Sequence, residues 1–164
     1  MDRVLLKKAK RVLHSLKEHD FTLASAESCT AGIIGTALAA ASDGGAHYAS
    51  GFITYNDSAK ATMLSVKPDT LRNFSAVSAQ AVREMAQGAS HAAGTRTALA
   101  VSGYAGPDGG ADGTPAGTVW FAWYLGEEQT HVEKKYFTGE CEEVVQSAAY
   151  YALERLACLL DEII

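Results

Sequence analysis

Hydrophobic residues recur along the chain with two periods. Val4, Leu5, Ala9, Val12, Leu13 and Leu16 fall on one helical face, with Lys7, Lys8, Lys10 and Arg11 mostly opposite, so the sequence predicts an amphipathic first helix. The apolar run Phe21-Thr22-Leu23-Ala24 predicts a short buried strand, and the Ala-, Leu- and Ile-rich stretch Thr30 to Ala41 a second helix. Asp43-Gly44-Gly45 breaks that pattern. Tyr48 to Tyr55 then reads as a strand with Gly51 inside it, followed by a helix capped by Asn56 or Asp57 and running through Lys60, Met63 and Leu64. Lys67-Pro68-Asp69 is a turn or the start of a further helix. Val82, Met85, Ala86 and Ala89 mark a helix from Ser78 to Ala92, capped by Ser78.

Thr97 to Ser102 is a compact apolar strand that runs into Gly103 to Gly113, where five glycines in eleven residues predict a loop. Gly117 to Leu125 and His131 to Phe137 read as paired strands joined by a hairpin turn at Gly126-Glu127-Glu128-Gln129. A closing helix is expected from Glu140 to Glu162, with Val144, Ala148, Leu153, Leu156 and Leu160 in its apolar stripe. Strands and helices mostly alternate, with an antiparallel pair near the end. That pattern predicts an α/β fold, a three-layer α/β/α sandwich with a mixed sheet covered on both faces. Residues 1–164 are expected to form one domain, since the length suits one and 48% hydrophobic content suffices for a core. Ligands gather at strand ends in such sheets, which directs attention to Glu27 to Gly32 and Ser102 to Gly113.

Composition narrows the function. A net charge of −5 argues against broad nucleic-acid binding, and the basic run Lys7 to Arg11 reads as a solvated helix face rather than an RNA or membrane contact. No stretch is apolar enough to span a membrane and Met1 to Lys17 lacks the core of a signal peptide, so a cytoplasmic location is expected. Cys29, Cys141 and Cys158 are odd in number and widely spaced, which suggests free thiols rather than a disulfide framework or a zinc site.

Ser28 follows the first strand and falls near the expected helix start, where unpaired amides and the helix dipole favour an anion or a developing oxyanion. Ser28 and Thr30 equally suit a capping role. A serine nucleophile needs a base. None of the five histidines falls in the Ser28 or Ser102 segments. Lys60 lies just beyond a strand end among Ala59, Ala61 and Met63, surroundings that favour a desolvated amine, although a helix lysine ordinarily faces solvent. Tyr55 ordinarily reads as a half-buried strand residue with a wet hydroxyl. Cys29 is a rival nucleophile with a buried-hydrophobe alternative. The glycine loop suits either an amide cradle for an anion or a plain strand connection. Asp108 and Asp112 suit turns better than a cation site, so no metal is expected.

Several blocks occur together in one order: Ala26-Glu27-Ser28-Cys29-Thr30, Gly51-Phe52-Ile53-Thr54-Tyr55-Asn56 followed by Lys60, Ala76-Val77-Ser78, Ser102-Gly103-Tyr104-Ala105-Gly106-Pro107-Asp108-Gly109-Gly110, and Pro115-Ala116-Gly117-Thr118-Val119. In these the chain resembles, over nearly its whole length, the C-terminal domain of CinA proteins, whose characterised members are nicotinamide-nucleotide amidases. The resemblance implies hydrolysis of the carboxamide of nicotinamide mononucleotide to nicotinic acid mononucleotide and ammonia, without metal or organic cofactor. It implies Ser28 as nucleophile, Lys60 as general base and Tyr55 as an assisting hydrogen-bond partner. Thr30, Gly32, Ser102, Gly103, Gly106, Gly109 and Gly110 are the substrate-binding residues expected on the same ground. The expected partners are a small-molecule nucleotide and a second copy of the chain in a homodimer, with no nucleic acid and no membrane.

Three departures accompany the resemblance. Family members carry arginines in the segment matching Thr138 to Gln146, where this chain has Cys141 and Val145 among Glu140, Glu142 and Glu143. Ala31 replaces a glycine, and Tyr104 replaces a small aliphatic residue and is expected to narrow the pocket. These changes also fit a paralogue that keeps the scaffold with weak or absent amidase activity and binds a ligand or partner protein.

Overall fold

The structure, a computed structural model, describes residues 1–163. Strands β1 (Leu23–Glu27), β2 (Tyr48–Ile53) and β3 (Thr97–Gly103) run parallel, and β4 (Thr118–Tyr124) and β5 (Thr130–Tyr136) extend the sheet antiparallel, in the order β2-β1-β3-β4-β5. The burial of each strand follows its place. β1 and β3 are covered on both faces and carry almost unbroken apolar or small residues, whereas β2 and β5 form the edges, β2 alternating in burial and β5 largely open.

Among the described residues, six helices flank the sheet: α1 (Arg3–His19), α2 (Ile33–Ala41), α3 (Asp57–Leu64), α4 (Pro68–Phe74), α5 (Ala79–Ala93) and α6 (Cys141–Asp161). α1, α2 and α6 cover one face around Leu16, Leu38, Phe121, Trp123, Leu153 and Leu156. α3 and α5 cover the other around Leu64, Val82, Met85 and Tyr124. Full burial of a side chain such as Phe121 or Leu153 contributes about 1.5–3 kcal/mol. Trp123 keeps its one polar atom satisfied by donating from Nε1 to Ala152 O at 2.9 Å.

The expected three-layer α/β sandwich with a mixed sheet is the fold observed. One burial assignment and two boundaries differ. Val4 is half exposed and Ser15 is buried on the inner face of α1 instead. The second strand stops at Ile53, so Thr54 and Tyr55 leave the ladder and expose their carbonyls to a side chain. α2 begins at Ile33 rather than Thr30, which lengthens the connection after β1 and has consequences for Ser28.

Chain direction places the site. From β1 the chain passes through α2 on one face to β2, then returns through α3, α4 and α5 on the other face to β3, on the far side of β1. The C-terminal ends of three parallel strands therefore open together where the crossovers diverge, the usual position of a ligand crevice.

Candidate active site

Glu27 closes β1 and is almost fully buried, yet its charge has clear partners. Oε1 accepts the Ile34 N–H at 3.0 Å and Oε2 the Gly35 N–H at 2.9 Å. A carboxylate thus fills the positive end of α2 and satisfies amides that have no intrahelical acceptor. This overturns the expectation that the start of α2 stabilises an oxyanion. Ser28 and Thr30 do not cap the helix either, because its N-cap is Gly32, which has no side-chain hydrogen bond.

Ser28 instead sits in the turn between Glu27 and Gly32. Its N–H donates to Val101 O at 3.0 Å and its carbonyl accepts Ala31 N–H at 3.0 Å, which fixes the turn against β3. Ala31 pays for this path with φ of 49°, left-handed backbone that disfavours a Cβ by about 1 kcal/mol.

Lys60 reaches the serine from α3. The helix starts where Asn56 Oδ1 accepts the Ala59 N–H at 2.8 Å, and one turn later Lys60 is 1% exposed. Its Nζ donates to Ser28 Oγ at 3.0 Å, Thr54 O at 2.8 Å and Tyr55 O at 3.4 Å. No carboxylate completes an ion pair with it among the described residues. Burial pushes its amine below the ordinary lysine value, with Asp57 and Cys29 opposing weakly. In the neutral form the two carbonyls retain two amine hydrogens and the lone pair is left for Ser28 Oγ. The solvent-facing reading of this lysine is therefore excluded.

A cleft of about 410 Å³ opens over this pair. Ser28, Lys60, Tyr55, Ser102, Gly103 and Gly106 all contribute to its wall, so the structure brings these expected residues together. The part of Tyr55 near the pair is its carbonyl, while its side chain is 71% exposed. Ser102 Oγ donates to Ala76 O at 2.8 Å and so ties β3 to the segment before α5. Thr30, Gly32, Gly109 and Gly110 lie off the wall. Thr30 is buried, and Gly32 packs against Ile53. Two amides of the glycine loop are satisfied within it, Gly110 N–H donating to Thr114 O at 2.8 Å and Gly113 N–H to Gly110 O at 3.1 Å. Asp112 Oδ1 accepts Thr114 N–H, the turn-forming role expected of an aspartate among glycines. Cys29 does not behave as an activated thiol, because burial pushes it up to about 12.

Comparison with known proteins identifies the family. The family model described as CinA C-terminal domain matches residues 5–160. The chain belongs to the CinA C-terminal domain family. Protein YdeJ of Escherichia coli K12 is 46% identical over 138 residues, 84% of this chain and 80% of that protein. The nicotinamide-nucleotide amidohydrolase PncC of the same organism is 38% identical over 155 residues, 94% of each. A crystal structure of the competence damage-inducible protein A from Klebsiella pneumoniae superposes with a TM-score of 0.93 at 45% identity, covering 98% of this chain and 99% of the other.

Within this CinA domain, some contributors escaped sequence reasoning, Leu71 and Ser75 among them. Asp57, Leu71, Ser75, Ala76, Asp108 and Cys141 also line the cleft. Cys141, at the start of α6, is shared with an adjoining cleft of about 430 Å³ walled by the 105–107 and 136–141 segments. Glu27 showed one usable signal, a lone carboxylate ending an apolar strand just ahead of a helix. Tyr104 lines the cleft, and its ring lies where a Cβ on Gly110 would stand.

Proposed function

We propose that this CinA domain hydrolyses the carboxamide of a nicotinamide-type pyridine compound to the carboxylic acid and ammonia, with Ser28 as nucleophile and Lys60 as general base. The observation that carries the reading is the 3.0 Å contact between a serine hydroxyl and a buried, ion-pair-free lysine at the floor of a cleft. The name of the PncC relative supplies the substrate class.

The steps follow from the groups present. Neutral Lys60 takes the Ser28 Oγ proton as Oγ bonds to the amide carbon, and the carbonyl oxygen takes up the negative charge. The Cys29 N–H, in the turn beside Oγ on the cleft wall and without a backbone acceptor among the described residues, is a donor for that oxygen. Lys60 then returns the proton to the departing nitrogen, which leaves as ammonia. Lys60 takes a proton from the water that attacks the ester and returns it to Oγ as the Oγ–acyl bond breaks, which frees the acid and restores Ser28 and neutral Lys60. Tyr55 contributes through its carbonyl, which orients Lys60 Nζ and Ser28 Oγ. A homodimer is the assembly we propose, and no residue of a second copy is required by these steps.

Ammonia release from nicotinamide riboside and nicotinamide mononucleotide, measured with wild type and Ser28→Ala, tests the reading. Wild type releases ammonia from at least one compound and the variant from neither. Absence of release by wild type, or release undiminished in the variant, overturns it.

A further inference from the structure

We infer that the cleft is selective for a pyridine carboxamide that carries no phosphate, such as the cationic riboside, over its 5′-phosphorylated mononucleotide; this names the substrate class within the amidohydrolase reading and rests on it. Three independent features of the walls support this selectivity.

First, charge. Among the described residues, Lys60 is the one lysine or arginine on the wall of either connected cleft, and it is already bonded to Ser28, Thr54 and Tyr55. Asp57 and Asp108 stand on the first cleft and Glu140 on the second, all exposed. Of the cations on nearby elements, Arg72 pairs with Asp69, Lys134 lies over Trp120 and Lys135 over Tyr151. A phosphate entering here meets like charge, whereas a pyridinium is attracted.

Second, several amides that could receive phosphate are engaged by the chain itself, and carboxylates stand at the starts of both nearby helices. The start of α2 is filled by Glu27. At the start of α6, Glu143 folds back to accept the Glu140 N–H at 3.0 Å, a path left open by Gly139, where any Cβ would lie 3.0 Å from the Glu143 carboxyl carbon. Glu142 adds a further charge in that turn. The Gly110 and Gly113 amides of the glycine loop bond within the loop. A helix start is an anion site only while its donors are free and its surroundings uncharged or basic.

Third, Tyr104 lines the cleft, with its ring held beside Gly110. Aromatic faces carry partial negative charge, so they receive a flat cationic ring better than an anionic group.

The test is calorimetric titration of the Ser28→Ala protein with nicotinamide riboside and with nicotinamide mononucleotide, beside ammonia release by wild type. The riboside binds at least tenfold tighter, and raising the salt concentration weakens it as screening removes the attraction. A Glu140→Gln, Glu142→Gln, Glu143→Gln variant, which keeps acceptor atoms at exposed positions, narrows the preference at least threefold. Equal or tighter binding of the mononucleotide overturns the inference, as does failure of both to bind. Faster ammonia release from the mononucleotide also overturns it while leaving the amidohydrolase reading intact. Selective riboside binding with no ammonia from either compound sustains the selectivity and removes the hydrolytic reading.

Discussion

The two ends of the cleft are built on opposite electrostatic plans. At the Ser28 end a lysine is 1% exposed, surrounded by carbonyls, and held below its ordinary pKa by burial. At the α6 end the first turn is exposed and carries Glu140, Glu142 and Glu143 around Cys141. The first plan removes water so that one proton can be exchanged, and the second keeps charge in water so that it acts on whatever approaches. The difference teaches that bond cleavage and ligand choice are separable here. One end can be altered without rebuilding the other.

The largest break is expected at the dry end. Ser28→Ala lowers turnover by about three orders of magnitude or more, measured as ammonia release, without weakening substrate binding. Lys60→Met lowers it by about 10²- to 10⁴-fold, the usual share of a positioned base. The same variant melts at a higher temperature at neutral pH, because the wild type buries an amine whose charged form is penalised. The sign follows from the lowered pKa. Between the folded and ordinary lysine values the unfolded chain binds a proton that the folded chain lacks, so wild-type stability rises with pH in that window, and Lys60→Met loses this slope. For activity, kcat/KM rises with pH to a plateau reached below the ordinary lysine range, and a midpoint at or above that range contradicts a desolvated base.

Changes at the wet end act on binding alone. Cys141→Arg places a cation on the wall shared by both clefts and strengthens mononucleotide binding by about tenfold, the scale of one charge-assisted phosphate contact, with kcat on the riboside nearly unchanged. An equal change in kcat sinks the separation of the two ends. The smallest effect lies between them. Ala31→Gly relieves the left-handed turn and raises stability by less than about 1 kcal/mol, since glycine also gains freedom in the unfolded chain, and thermal melting reads it.

How much of this was legible follows the same physical divide. Periodicity located the strands and helices because burial of Leu16, Val82 or Leu153 imposes it. The Ser28 and Lys60 blocks stood out because their residue types are unusual beside apolar strands, and the resemblance linked them. The extent of Lys60 burial was not readable, since it depends on Ser28 and the Thr54 and Tyr55 carbonyls, from other elements, meeting its amine. The start of α2 was misplaced for a similar reason: Glu27 satisfies the helix from outside it, so no hydroxyl cap marks its beginning. The glycine loop was open to a cradle reading because composition shows freedom but not where Gly110 and Gly113 direct their amides.

The central claim is that Ser28 becomes acylated. Acid quenching of wild-type protein during turnover, followed by peptide mass spectrometry, reads this directly. The account predicts a pyridine-3-carbonyl adduct on the peptide containing Ser28, assigned to Ser28 by fragmentation and absent from Ser28→Ala. Steady ammonia release with no adduct in a single-turnover time course, or an adduct on Cys29, contradicts it.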